Sequence, residues 1–199
     1  MGIAERRARE KSELRQEILD ASRRIFIEEG FDALTMRRVA DAIEYSPTTI
    51  YLHFTDKSEL VQAICDEGFA TLLARLQELS LHELGPLEHL DAGLRAYIDF
   101  GLTHPSHYYV SFVASAGKVQ YDYQGSAGQR AFDYLREGVS ACMTAGVIQK
   151  ADVDATAQAL WAAVHGLVVL LISDKSFPFV ERQALIDRLM TTLIGGLRT

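Results

Sequence analysis

The segment ALTMRRVADAIEYSPTTIYLHF, residues 33–54, constrains the fold more than any other part of the chain. It contains two helix starts within about a dozen residues, each opening a run too short to be stable alone. Thr35 suits the N-cap of a short helix in which Val39 and Ile43 face inward while Arg37, Arg38 and Asp41 face out. Glu44 and Tyr45 interrupt that helix. Ser46 then supplies a second N-cap, and Pro47 takes the first helical position, where a missing N–H is not needed. A third helix of about seven residues follows.

The flanks supply what such short helices lack. Leu14, Ile18, Ala21, Ile25 and Phe26 recur at helical spacing, which predicts a first helix over about residues 11–29, ended by Gly30 in a left-handed conformation. Asp56 caps a long helix, residues 57–79, with Leu60, Ile64, Leu72, Leu76 and Leu79 on one stripe. A short helix, a tight turn and a second short helix, braced on both sides, form a helix-turn-helix. In that unit the second short helix enters the DNA major groove by its N-terminal end. Here that end carries Ser46, Pro47, Thr48 and Thr49, all small, while Ile50 and Phe54 turn back to the core. Tyr51 and His53 lie beside the backbone, and Lys57 at the next helix start suits a phosphate.

Charge has to be read by its distribution. The chain has 199 residues, 48% hydrophobic and 24% charged, and a formal net charge of −7. Residues 1–60 hold ten Lys and Arg against twelve acids, so even this segment is not basic overall. A DNA-binding face must therefore come from local sorting of charge. Arg6 to Lys11 is one such cluster, with a solvated N-terminal tail as the plain alternative.

The stretch ALTMRRVADAIEYSPTTIYLHFTDKSELV resembles the DNA-binding module of the tetracycline-repressor (TetR) family, with Thr35, Ala40, Ser46, Thr49, Tyr51, Phe54 and Lys57 at the family's spacing. The resemblance covers roughly residues 11–60 and implies an all-α, dimeric, ligand-responsive repressor. It further implies phosphate contacts from Thr35, Tyr51 and Lys57, and base contacts from Thr48 and Thr49. The candidate DNA-binding set is therefore Thr35, Arg37, Ser46, Pro47, Thr48, Thr49, Tyr51, His53 and Lys57. Two positions depart from the family pattern. Glu44 stands where the turn usually has glycine, and Thr48 where glycine or alanine is common.

The rest of the chain is also helical, so we expect a DNA-binding domain over residues 1–55 and a larger effector-binding and dimerisation domain over 56–199. Tyr97, Phe100, Tyr108, Phe112, Phe132, Trp161 and His165 are the candidate ligand-binding residues, although aromatic residues at helical spacing are more often plain core. An aromatic, mostly uncharged lining suits a hydrophobic or aromatic effector. The last two helices are apolar on more than one side, and a helix buried on two sides needs two partners. Leu160, Val164, Leu167, Val168, Leu171, Ile186, Leu189, Met190, Leu193 and Leu197 are the candidate interface with a second copy. The resemblance implies the same four-helix interface, and WAAVHG, residues 161–166, resembles a C-terminal subtype of the family.

Other chemistries find little support. The chain has no GxSxG elbow, phosphate-cradling glycine loop or HExxH, so catalysis is not expected. His104 and His107 lack a third ligand, so no metal and no cofactor is expected. Cys65 and Cys142 fit neither a disulfide framework nor a metal pair, in keeping with a reducing compartment. No uninterrupted apolar run approaches the roughly 20 residues of a membrane span, and no secretory signal stands at the N-terminus, so a cytoplasmic protein is expected. A regulator without a small-molecule effector, or one controlled by a protein partner, is the alternative to the sensor.

Overall fold

The computed structural model describes residues 2–114, 122–173 and 176–198. Among them every regular element is helical: α1 (Ile3–Glu29), α2 (Met36–Ala42), α3 (Pro47–Tyr51), α4 (Lys57–Leu79), α5 (Pro86–Thr103), α6 (Pro105–Tyr108), α7 (Ala127–Thr144), α8 (Val153–Ser173) and α9 (Arg182–Leu197), with a π-type turn at Tyr109–Ala114 after α6. The all-helical expectation holds. The chain divides into two compact units, Met1–Gly68 with Ser106–Asp122, and Phe69–Pro105 with Tyr123–Thr199. The first unit thus takes in the opening turns of α4 and a later segment, where a boundary after residue 55 was expected. Linear sequence shows where helices begin, but not which distant segment completes a small core.

In the first unit α2 packs on α1 and α3, and the π-type turn packs on α1. Its centre is Ile18, Ile25, Phe26, Leu34, Val39, Ile50, Phe54, Leu60 and Ile64, each at most 3% exposed. Burying an aliphatic or aromatic side chain of this size contributes about 1.5–3 kcal/mol, which is how helices of five and seven residues persist. Helix α1 begins at Ile3, two turns before the expected start. Those turns have no apolar stripe to read; they are laced by the Arg6–Glu10 and Arg9–Glu13 pairs at 3.4 and 3.5 Å. Gly30 has positive φ as expected, but its ψ of 172° is extended rather than left-handed.

The second unit is built from α5, α7 and α8 packed on one another, with α9 on α8. Its core holds Leu90, Leu94, Ile98, Val139, Leu160, Val164, Val168 and Met190. The helix starts are locally specified. Pro86 opens α5, where Glu88 accepts a hydrogen bond from the Gly85 N–H at 3.1 Å. Ser126 caps α7 by accepting from the Gln129 N–H at 3.0 Å. Glu181 caps α9 through the N–H groups of Gln183 and Ala184.

Candidate nucleic-acid interface and aromatic cluster

Both short helices are capped as their sequences require. Thr35 Oγ1 accepts from the Arg38 N–H at 3.1 Å, and Ser46 Oγ accepts from the Thr49 N–H at 3.3 Å. The Ser46 and Thr49 hydroxyls are also 3.0 Å apart. Thr35 and Ser46, both in the candidate DNA-binding set, therefore hold the backbone as helix caps.

Between α2 and α3, Glu44 has a φ of 59°, the only positive value at a non-glycine among the described residues. The turn keeps its left-handed residue although a Cβ opposes it. That conformation costs a non-glycine residue about 1–2 kcal/mol, part of which glycine returns through its larger unfolded-state entropy. Glu44→Gly is thus expected to stabilise the protein by about 0.5–1 kcal/mol. Urea unfolding checks this, and an unchanged or lower midpoint would show that the turn is not strained.

Around that frame the structure leaves a polar, open end. Pro47 and Thr48 are exposed, Thr49 is half-buried, and Ile50 turns fully inward. Arg37 is exposed; its neighbour Arg38 pairs with Glu29 at 2.7 Å. Tyr51 is 54% exposed and Leu52 74%. Leu52 was not among the sequence candidates. Its signal lay in the mismatch of an aliphatic residue standing between inward-turning Ile50 and Phe54.

Two candidates are placed differently from expectation. His53 is half-buried, and its Nδ1 is buried without a hydrogen-bonding partner among the described residues. Burial, then the charges of Lys11 and Arg15, hold it below the usual imidazole range. Lys57 is also half-buried: its ammonium donates to the Phe31 carbonyl and lies 3.6 Å from the Phe31 ring centroid. Its charge is anchored at the start of α4, which itself is capped by Asp56 through the Glu59 N–H at 2.9 Å.

The first unit also contains a polar cluster that periodicity could not reveal. Glu67 accepts from Gln16 at 2.7 Å and from Arg23 at 3.1 Å, and His107 Nε2 lies 3.3 Å from it. Burial would raise the Glu67 pKa, but the bonds from Gln16 and His107 and the Arg23 charge outweigh it and hold the carboxyl below its usual range. His107 is therefore engaged by Glu67 and Arg23, while His104 stacks on Phe100 with its Nδ1 2.9 Å from the Thr103 hydroxyl.

The expected ligand-binding residues do not form one group. Tyr108 and Phe112 belong to the first unit, where Tyr108 is fully buried with its ring 4.7 Å from that of Phe112. In the second unit Phe100 is core, 4% exposed. Tyr97, Phe132, Trp161 and His165 do converge, from α5, α7 and α8. The Trp161 indole N–H donates to the Tyr97 hydroxyl at 3.0 Å, and that hydroxyl lies 3.3 Å from His165 Nδ1. The Trp161 ring meets Phe132 edge-on at 6.1 Å and His165 at 5.6 Å. Burial holds His165 below the usual range, so it is neutral at pH 7. The thiols carry no charge either: burial pushes Cys65 up to about 11 and raises Cys142.

The interface candidates need a similar correction. Leu160, Val164, Leu167, Val168, Ile186 and Met190 are at most 8% exposed within the single protomer, so they serve its own core rather than a second copy. Leu171, Leu189, Leu193 and Leu197 are half-buried. The exposed residues of α8 are instead Asp154, Ala155, Gln158, Ala159, Ala162, Leu170 and Ser173.

A short capped helix with an open polar end, set on a helical core, defines a helix-turn-helix DNA-binding protein. Residues 18–64 match the family model of bacterial regulatory proteins, tetR family, and residues 90–193 match that of the tetracyclin repressor-like C-terminal domain. The chain belongs to the TetR family of transcriptional regulators, whose members bind DNA and are not enzymes. Over 64 residues it is 41% identical to the HTH-type transcriptional regulator UidR of Escherichia coli K12, a match spanning 32% of this chain and 33% of that protein. Over 70 residues it is 39% identical to the HTH-type transcriptional repressor AcnR of Corynebacterium efficiens, spanning 35% and 37%. The match thus covers about a third of these curated relatives. The fold is shared across nearly the whole chain with a tetR-family regulatory protein from Rhodococcus RHA1, at a TM-score of 0.76, 19% identity and coverage of 92% and 96%. It is also shared with the TetR family transcriptional regulator PfmR from Thermus thermophilus, at 0.72, 18%, 92% and 99%.

Proposed function

We propose that this chain is a cytoplasmic repressor that binds a pseudo-palindromic operator as a homodimer and leaves it when a small hydrophobic or aromatic effector binds the second unit. The observation that carries the reading is α3, held by the Ser46 cap and Ile50 while Pro47, Thr48 and Tyr51 stay open to solvent. The named roles of UidR and AcnR as transcriptional regulators support it. Dimerisation is supported by α8. Its 21 residues are apolar enough to cross a membrane by length and composition, yet only 28% of its most apolar stretch is buried in the protomer. A second copy covering Ala155, Ala159, Ala162 and Leu170 accounts for that apolarity.

On this reading Tyr51→Ala and Lys57→Ala weaken binding to all sequences, with Lys57→Ala lowering the salt slope by about 0.9. Thr48→Ala changes sequence preference, by about 1–3 kcal/mol of discrimination at one base pair. Selection from randomised duplexes, followed by salt titrations, measures both quantities. Equal effects from all three variants would remove the assignment.

A further inference from the structure

The first turns of α1 precede residue 18, where the family match begins. Their charges are sorted by face. Positions 7, 11, 15, 18, 22 and 25 follow one another at four- and three-residue spacing, so Arg7, Lys11 and Arg15 continue the line of Ile18, Ser22 and Ile25, which are all buried against the head. Arg6 and Arg9 project from the other side, where each is matched by Glu10 and Glu13. The apparent cluster Arg6 to Lys11 is thus two faces, one neutralised and one not.

The unneutralised face runs beside the end of the recognition helix. Arg15 lies over the Phe54 ring, 4.8 Å from its centroid, and the charges of Lys11 and Arg15 both act on His53. Glu59, at the start of α4, also feels Arg15, but its carboxylate is taken by the Thr55 N–H and hydroxyl at 2.6 and 2.7 Å. Arg7, Lys11 and Arg15 are exposed, and none has a carboxylate within ion-pair distance among the described residues. From position 7 to 15 the helix rises about 12 Å. Duplex DNA carries about one charge per 1.7 Å of axis, so a stripe of that length can meet several phosphates.

We propose that Arg7, Lys11 and Arg15 form a second DNA contact, in which the extended α1 lies along the phosphate backbone beside the groove entered by α3. The proposal rests on the DNA-binding reading above. It explains how a chain of net charge −7 can hold a polyanion. The stripe adds affinity without sequence preference, because phosphates carry none.

The test is a salt titration of full-length protein on a long duplex of arbitrary sequence, which needs no knowledge of the operator. The Arg7→Gln/Lys11→Gln variant should lower the log–log salt slope by about 0.9 for each phosphate no longer neutralised, and should weaken binding at every salt concentration. Arg6→Gln/Arg9→Gln should leave the slope unchanged. An unchanged slope in the first variant, or an equal decrease in both, overturns the proposal while leaving α3 intact as a reader, since Thr48→Ala would still shift preference. If the unaltered protein binds no duplex, the DNA reading fails and the stripe with it. Thermal melting of both variants, expected to match the unaltered protein, excludes loss of folding as the cause of a lower slope.

Discussion

Phe54→Ala unfolds the DNA-reading head at a denaturant concentration that leaves the unaltered protein folded, through a loss of about 3–5 kcal/mol. Phe54 is 1% exposed and stands directly after α3, whose five residues make too few internal hydrogen bonds to persist unaided. Its ring is buried in the head's core together with Ile50, and the Arg15 guanidinium lies over it. Removing it leaves a cavity at the point where the recognition helix is fixed, so DNA binding is lost with stability. Leu52→Ala, two residues earlier and 74% exposed, is the contrast. It should change stability by no more than about 0.5 kcal/mol. Urea unfolding of the two variants separates the cases, and a Phe54→Ala loss below about 1 kcal/mol would mean that the head closes over the gap. Because the chain has two units, each unfolding transition must be fitted separately.

The contrast between these neighbours shows which parts of the fold are written locally. Thr35, Ser46 and Pro47 announce helix starts through chemistry confined to three or four residues, and the structure uses them so. Glu44 is the exception: glutamate gives no signal for a left-handed residue, and only the resemblance pointed to a turn there. What depends on distant partners was not legible. Periodicity says that Tyr108 faces inward, but not that it closes the first unit while Tyr97 serves the second. The C-terminal helices gave the same difficulty. A helix apolar all round conceals which side is its own core, so Leu160 and Val164 read as interface when they are interior, and Ala159 and Ala162 carried no signal. The outward stripe on α1 was hidden for a related reason: its cations alternate in sequence with others that are paired, and only the buried line of Ile18, Ser22 and Ile25 tells the faces apart.

Trp161→Ala is expected to destabilise the second unit by about 3 kcal/mol, the low end for such a truncation because the indole is half-buried. The loss combines the edge contact with Phe132 and the hydrogen bond to Tyr97. Trp161→Phe keeps an aromatic ring and forfeits the N–H, at about 0.5–1.5 kcal/mol. Trp161 is the only tryptophan in the chain, so tryptophan emission, excited selectively over the tyrosines, reports on this cluster. With the His165 ring 5.6 Å away, protonation of the imidazole should quench that emission. Burial disfavours the charged form, so the quenching midpoint should fall below the ordinary histidine value of 6.5. The sign for stability follows from the same shift. The folded state favours neutral His165, so this contribution is full above pH 6.5 and declines as pH falls through the window between 6.5 and the lowered folded value, where only the unfolded chain takes up the proton. His165→Asn should flatten that decline. A quenching midpoint above 6.5 would mean that the imidazolium is stabilised by a charge in the cluster, and a neutral aromatic effector would then be the wrong class to seek. With the midpoint below 6.5, titration of aromatic compounds against Trp161 emission is the direct search for the effector.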